Sequence, residues 1–145
     1  AIIRTSWIFS AYRNLFLKTM LGLAKTQKEI KVVSDQIGSP TPAVEIAKAC
    51  MLMASILRKN SQKKGIYHFS GYPNVSWYEF ARMIFEMTRF DIKVLPVTSS
   101  EYESSTKRPL NSRLNCDSTI KNFDISLPDW RIELRKILHE LGYKL

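Results

Sequence analysis

The sequence is short of cysteine, histidine and glycine, on which metal binding, thiol catalysis and phosphate-loop chemistry draw. Its two cysteines, Cys50 and Cys116, lie far apart without metal-ligand spacing, so two free thiols are expected and no metal site. A reducing, cytoplasmic setting follows. Its two histidines need no catalytic role: His68 sits in a buried-strand pattern, and His139 lies near a helix end, where it meets the macrodipole. Five glycines form no phosphate-cradling loop, because Gly65 and Gly71 have His68 between them and neither opens a helix. Paired carboxylates are missing too: Asp35 reads as a loop residue and Asp129 as a helix start. The longest apolar stretch, AVEIAKACMLMASIL, is interrupted by Glu45 and Lys48 and is too short and too polar to span a bilayer, so no membrane role is expected.

What remains is an ordinary folding composition. Of 145 residues, 45% are hydrophobic and 24% charged, and three Trp, six Tyr and seven Phe argue against disorder. That length supports one core, hence a single domain over 1–145. The formal net charge of +9 invites a nucleic-acid reading, but the basic residues are spread along the chain, and RKNSQKK (58–64) falls between an apolar helix and a strand. That run reads as a solvated loop, and no nucleic acid is expected as a partner. A small polyanion such as a nucleotide diphosphate needs only two or three cations.

Periodicity predicts strands and helices in alternation, an α/β chain. Strands are expected at Ala1 to Trp7, Lys31 to Ser34, Gly65 to Ser70 and Lys93 to Val97. Helices are expected over Asn14 to Lys25, from Pro42 to about Leu57 with Thr41 as N-cap, from SWYE (76–79) to about Thr88, from Asp117, and from Asp129 to near Gly142. SWYE has the spacing of a capping box, with Ser76 reaching forward and Glu79 back. A Ser/Glu-rich loop, TSSEYESSTK, precedes an extended return, RPLNSRLN.

Three short pieces combine features that packing alone does not demand. In RTSWIFS, Thr5, Ser6 and Trp7 follow an apolar run at a strand's carboxyl end, where open α/β sheets place ligands; a packed Trp at a strand end is the plainer alternative. DQIGSPTP holds a glycine and two prolines, stiff enough to present Gln36, Ser39 or Thr41, or simply a turn and a cap. In KRPLNSRL, Asn111 and Arg113 share one face of an extended chain while Leu110, Ser112 and Leu114 share the other. Guanidinium forks suit phosphate oxygens, although solvated surface arginines would read the same way.

Taken in order, IIRTSWIFS, NLFLKTML, VVSDQIGSPT, GIYHFSG, SWYEFARMIF, KRPLNSRL and LPDWRIELRKIL resemble the carboxyl-terminal half of the dTDP-4-dehydrorhamnose reductases, a family of extended short-chain dehydrogenase/reductases. The resemblance implies the C-terminal substrate-binding portion of that fold, lacking most of the N-terminal Rossmann sheet. The family reduces the 4-keto group of dTDP-6-deoxy-L-lyxo-4-hexulose with NAD(P)H to give dTDP-L-rhamnose. Its glycine motif for the cofactor and its Tyr-x-x-x-Lys proton donor have no counterpart here: Arg82 stands four residues after Tyr78, and Thr106 four after Tyr102. By the same resemblance the chain starts just after the family's catalytic helix, and NADP or NAD belongs to the intact enzyme, with none expected on this chain alone.

Position by position, the resemblance implies that Thr5 and Ser6 border the nicotinamide and that Trp7, Gln36, Ser39 and Thr41, with Pro40, border the deoxysugar. Arg108, Asn111 and Arg113 would face the nucleotide diphosphate. Phe9 and Ser10 depart from the family's usual Tyr-Gly after the strand-end Trp. The implied ligand is a dTDP-sugar, bound without turnover. A separately encoded N-terminal half or self-association would cover strands that lose neighbours. The alternative is a non-enzymatic regulatory or protein-binding module built on this fold.

Overall fold

A computed structural model describes residues 1–102 and 106–145. Strands and helices alternate as β1 (Ile2–Arg4), β2 (Ile8–Phe9), α1 (Phe16–Leu23), β3 (Glu29–Val33), β4 (Ile37–Gly38), β5 (Thr41–Pro42) and α2 (Ala43–Lys59). They continue as β6 (Ile66–His68), β7 (Val75–Ser76), α3 (Trp77–Thr88), β8 (Lys93–Val97), α4 (Asp117–Phe123) and α5 (Trp130–Glu140). The expected Ser/Glu-rich loop over 98–107 is followed at both ends, and 103–105 lie outside the described residues.

Two parallel strand pairs carry the architecture. β1 runs beside β6 with Ile2 opposite Ile66 and Arg4 opposite His68, and β3 runs beside β8 with Glu29 opposite Lys93 and Val33 opposite Val97. Parallel neighbours need a crossover, and α2 lies on the path between the first pair while α3 lies on the path between the second. Smaller pairs knit the middle, β2 parallel to β5 and β4 antiparallel to β7. The extended return docks there as well: Ile37 donates its N–H to Leu110 O at 2.8 Å, and Ser112 donates to Ile37 O at 2.8 Å.

Local chemistry explains where elements stop. The strand expected from Ala1 to Trp7 breaks after Arg4 because Trp7 takes a left-handed backbone, φ 44°, before the chain resumes as β2. That conformation is costly for a residue with a Cβ, so surrounding packing must hold it. Thr41 is not the N-cap of α2. Pro42 takes the cap position, and the Thr41 hydroxyl donates to Ser39 O at 3.0 Å and accepts the Gly71 N–H at 3.2 Å. The buried loop groups outcompete the helix end for that hydroxyl.

α3 begins as its spacing predicts. Ser76 Oγ accepts the Glu79 N–H at 3.1 Å, and Glu79 Oε2 accepts the Ser76 N–H at 2.6 Å. Its buried face, Phe80, Ala81, Ile84 and Phe85, meets Phe9, Leu17, Trp130, Leu134 and Leu138 in the larger of two cores. Phe80 packs edge-on against both Phe9 and Trp130, with ring centres 5.4 and 5.2 Å apart. The smaller core joins Ala49 and Met53 of α2 to Tyr67, Phe69, Phe123 and Ile125. α5 starts from Asp129, whose carboxylate accepts the Arg131 N–H at 3.0 Å.

Candidate functional site

β3 and β8 deliver their carboxyl ends to the same side, and a cavity of about 750 Å³ opens there. Parallel α/β sheets commonly bind ligands beyond that end. The floor comes from β3, through Lys31, Val32 and Val33, followed by Gln36. α1 contributes Phe16, Thr19 and Met20, which its helical spacing turns to one side, and α3 contributes Trp77 at its first position. The far wall is the segment after β8, with Ser99, Ser100 and Tyr102, and then Thr106, Lys107 and Arg108. Aromatic and apolar rings thus share one chamber with cations. A smaller hollow of about 320 Å³, bordered by Arg82, Glu86 and Arg89, gathers none of the expected site residues.

Of the residues singled out in the sequence, Gln36 and Arg108 line this cavity. Gln36 is buried, and its amide donates to Ser99 Oγ at 2.9 Å. Trp7 stands one layer behind. Its ring stacks on Trp77 at 3.6 Å with planes 10° apart, and Trp77 leans on Phe16 at 4.5 Å. Gly38 makes that stack possible, since a Cβ there would lie 2.4 Å from Trp7 Cε2. The left-handed backbone of Trp7 is therefore tied to a ring that supports the cavity's aromatic wall.

Ser39 and Thr41 are wholly engaged inside the protein. Ser39 Oγ donates to Asn74 Oδ1 at 2.6 Å, and Ser6 Oγ donates to Ser39 O at 3.3 Å. Asn111 and Arg113 are exposed and hold each other, with Arg113 Nε donating to Asn111 Oδ1 at 2.9 Å. Thr5 is different: its hydroxyl is buried and meets no hydrogen-bond partner among the described residues. An unmet buried hydroxyl at the carboxyl end of a parallel strand suits a ligand edge. Of the five glycines, none opens a helix after a strand, so the residues present do not fit a dinucleotide-phosphate cradle. No group of three His, Cys, Asp or Glu side chains among the described residues could hold a metal ion.

Sequence reasoning missed Phe16, Trp77 and Lys31. The expected helix over Asn14 to Lys25 took in the first, the capping box marked the second as a helix start, and Lys31 stood only as the first residue of an expected strand. The electrostatics of the far wall come from two carboxylates held by their neighbours. Hydrogen bonds from the Ser99 hydroxyl and then its N–H keep the Asp35 carboxyl below the usual range. Those from Thr98, N–H first and hydroxyl second, do the same for Glu101. Both are ionised at neutral pH, and each spends its charge on the loop rather than on the cavity.

A parallel α/β frame with an aromatic and cationic cavity at the carboxyl ends of its strands is the arrangement of a ligand-binding α/β domain. The family model for the RmlD substrate binding domain matches residues 1–143, and the chain belongs to that family. It is 41% identical over 146 residues to the dTDP-4-dehydrorhamnose reductase of Sinorhizobium fredii, covering 97% of this chain and 49% of that protein. The crystal structure of a dTDP-4-dehydrorhamnose reductase from Clostridium acetobutylicum superposes with a TM-score of 0.84 at 37% identity, over 97% of this chain and 48% of the other. That of the Bacillus anthracis reductase in complex with NADP gives 0.81 at 36% identity, over 96% and 48%. The chain spans about half the length of the relatives it matches.

Proposed function

We propose that this chain is the substrate-side portion of a dTDP-4-dehydrorhamnose reductase and that its cavity holds the dTDP-sugar. The cavity's mixed lining carries the reading. Phe16, Met20 and Trp77 offer flat apolar surface to a base or sugar face, while Lys107 and Arg108 offer charge and a planar fork to a diphosphate. With the whole enzyme's NAD(P)H-dependent 4-keto reduction as context, this chain binds and orients. It carries no Tyr-x-x-x-Lys pair and is expected to bind without turnover.

The rest of the reaction then depends on a partner of α/β type that bears the cofactor, on the same polypeptide or a separate one. Two features support that partner over a free-standing regulatory module. Thr5 presents an unmet hydroxyl at the end of β1, and the outer face of α2 is apolar, with Met51 at 75% exposure and Val44 at 45%. No helix among the described residues is long and apolar enough to cross a membrane.

Calorimetric titration with dTDP and dTDP-rhamnose tests the reading directly. Binding should weaken by about tenfold or more in Arg108→Ala, the loss expected when a charge-assisted hydrogen bond is removed. Equal binding by the variant would move the diphosphate elsewhere. Absence of binding by the unaltered chain would show that its own residues do not suffice.

A further inference from the structure

Asp35 is an acid beside a cavity lined with cations, in a chain of net charge +9, and the reading above gives it no ligand to touch. We propose that Asp35 is a positioning residue, a latch that fastens the far wall of the cavity to the end of β3 and so sets the width of the site. The inference rests on the proposed function for what fills the cavity, but the latch itself is a property of the free protein.

The geometry is one carboxylate spent almost entirely on one residue. Asp35 Oδ1 accepts the Ser99 N–H at 2.9 Å and the Ser99 hydroxyl at 2.6 Å, while Oδ2 shares the same N–H at 3.0 Å. Gln36 adds its amide to Ser99 Oγ at 2.9 Å, so consecutive residues grip both sides of one serine. The strands themselves end just before this point. Ser34 N–H to Val97 O, 2.9 Å, is the last backbone rung between β3 and the segment leaving β8. Beyond it, side chains take over the pairing that the backbone gives up.

What the latch holds is a preformed turn. Glu101 Oε2 accepts the Thr98 N–H and hydroxyl, each at 2.8 Å, and Tyr102 donates its N–H to Thr98 O at 3.1 Å. Ser99, Ser100 and Tyr102 of that turn face the cavity. A rigid turn fastened at one residue moves as a unit when that residue is released. Charge-assisted bonds of this length are strong enough to matter, and two acceptor oxygens facing the two donor groups of one residue make the attachment directional. Asp35 thereby acts on a bound ligand through Ser99 and Tyr102, without contact of its own.

Two measurements on Asp35→Ala, Asp35→Asn and Ser99→Ala test this. In the free protein, amide exchange at Ser99 and Tyr102 should accelerate by about tenfold or more in Asp35→Ala, with exchange in β3 and α3 unchanged. Affinity for dTDP should fall by a similar factor in Asp35→Ala and by less in Ser99→Ala, which keeps the N–H bonds to Asp35, and the double variant should be no worse than Asp35→Ala, because the serine hydroxyl acts through the acid. Asp35→Asn, which keeps one acceptor, should recover part of both effects. Unchanged exchange at Ser99 overturns the latch whatever dTDP does. Faster exchange with undiminished dTDP affinity overturns its positioning role. Faster exchange in a chain that never binds dTDP supports the latch and shows instead that the chain's own residues do not suffice to hold that ligand.

Discussion

The two parallel strand pairs share a backbone plan and differ in what they show to the outside. In β3 and β8 the first register pair is Glu29 opposite Lys93, an ion pair at 3.0 Å, and Lys31 follows on the same outer side. In β1 and β6 the first register pair is Ile2 opposite Ile66, at 59% and 52% exposure. Charge at outer strand positions suits water or an anionic ligand; isoleucine at the same positions suits protein. Parallel sheets are normally covered on both faces, so we propose the second pair as a contact surface, whereas the first carries charge at its outer positions and opens onto the cavity.

If that contrast is right, the larger core should dominate stability. Trp130 is 1% exposed, donates its indole N–H to Pro73 O at 2.8 Å and packs on Phe80. Trp130→Ala should destabilise the chain by about 3–5 kcal/mol, toward the upper end of the range of about 2–5 kcal/mol that covers Met53→Ala in the smaller core. Urea unfolding of the two variants reads the difference. A larger loss at Met53 would mean that the α2 side, not the cavity side, is the folding unit of the chain.

The same contrast shows what the sequence made legible. SWYE marked the start of α3, short apolar runs marked β8 and the second half of β3, and Asp129 marked the start of α5, because each is a local signal and the structure follows it. Asp35 also stands in a loop, as expected, but the residue it grips is Ser99, and nothing local in the sequence points 64 positions along. Trp7 and Thr41 were misjudged for a related reason. A strand pattern cannot announce a φ of 44° set by a ring over Gly38, and a Thr before Pro cannot announce that its hydroxyl is claimed by Gly71. The cavity was half legible: Gln36 and Arg108 stood out as polar residues of a stiff loop and an extended return, whereas Phe16 fell in a helical pattern and Trp77 in a capping box, signals that report a helix and not what its face looks onto.

Gly38 joins the two regions, since its missing side chain admits Trp7 from the end of β1 and thereby supports Trp77 on the cavity wall. Gly38→Ala should cost about 1–3 kcal/mol, the usual range for overpacking, because the nearest atoms belong to a ring clamped between other groups rather than to a flexible tip. The near-ultraviolet circular dichroism of the stacked indoles should change with it. Unaltered stability and an unaltered spectrum would show that Trp7 moves aside easily, and that the end of β1 and the cavity are mechanically independent.

The smallest effect on folding, and the most direct probe of the contrast, lies at Ile66. Replacing an exposed isoleucine by lysine removes apolar surface that the isolated chain leaves in water, so Ile66→Lys should shift unfolding by no more than about 0.5 kcal/mol. Association should respond far more. An edge strand bearing exposed isoleucines recruits other chains unless a partner or a charge covers it. The isolated chain is therefore expected to sediment above monomer mass at tens of micromolar, roughly where weak apolar contacts populate dimers, and Ile66→Lys to return it to monomer. Lys93→Ile is the mirror test, since placing isoleucine on the outer side of β8 should create association where the wild type has an ion pair. A wild-type chain that sediments as a monomer, with Lys93→Ile equally monomeric, would mean that exposed isoleucines on these short strands are too few to act as an interface. The contrast between the pairs would then be one of composition alone.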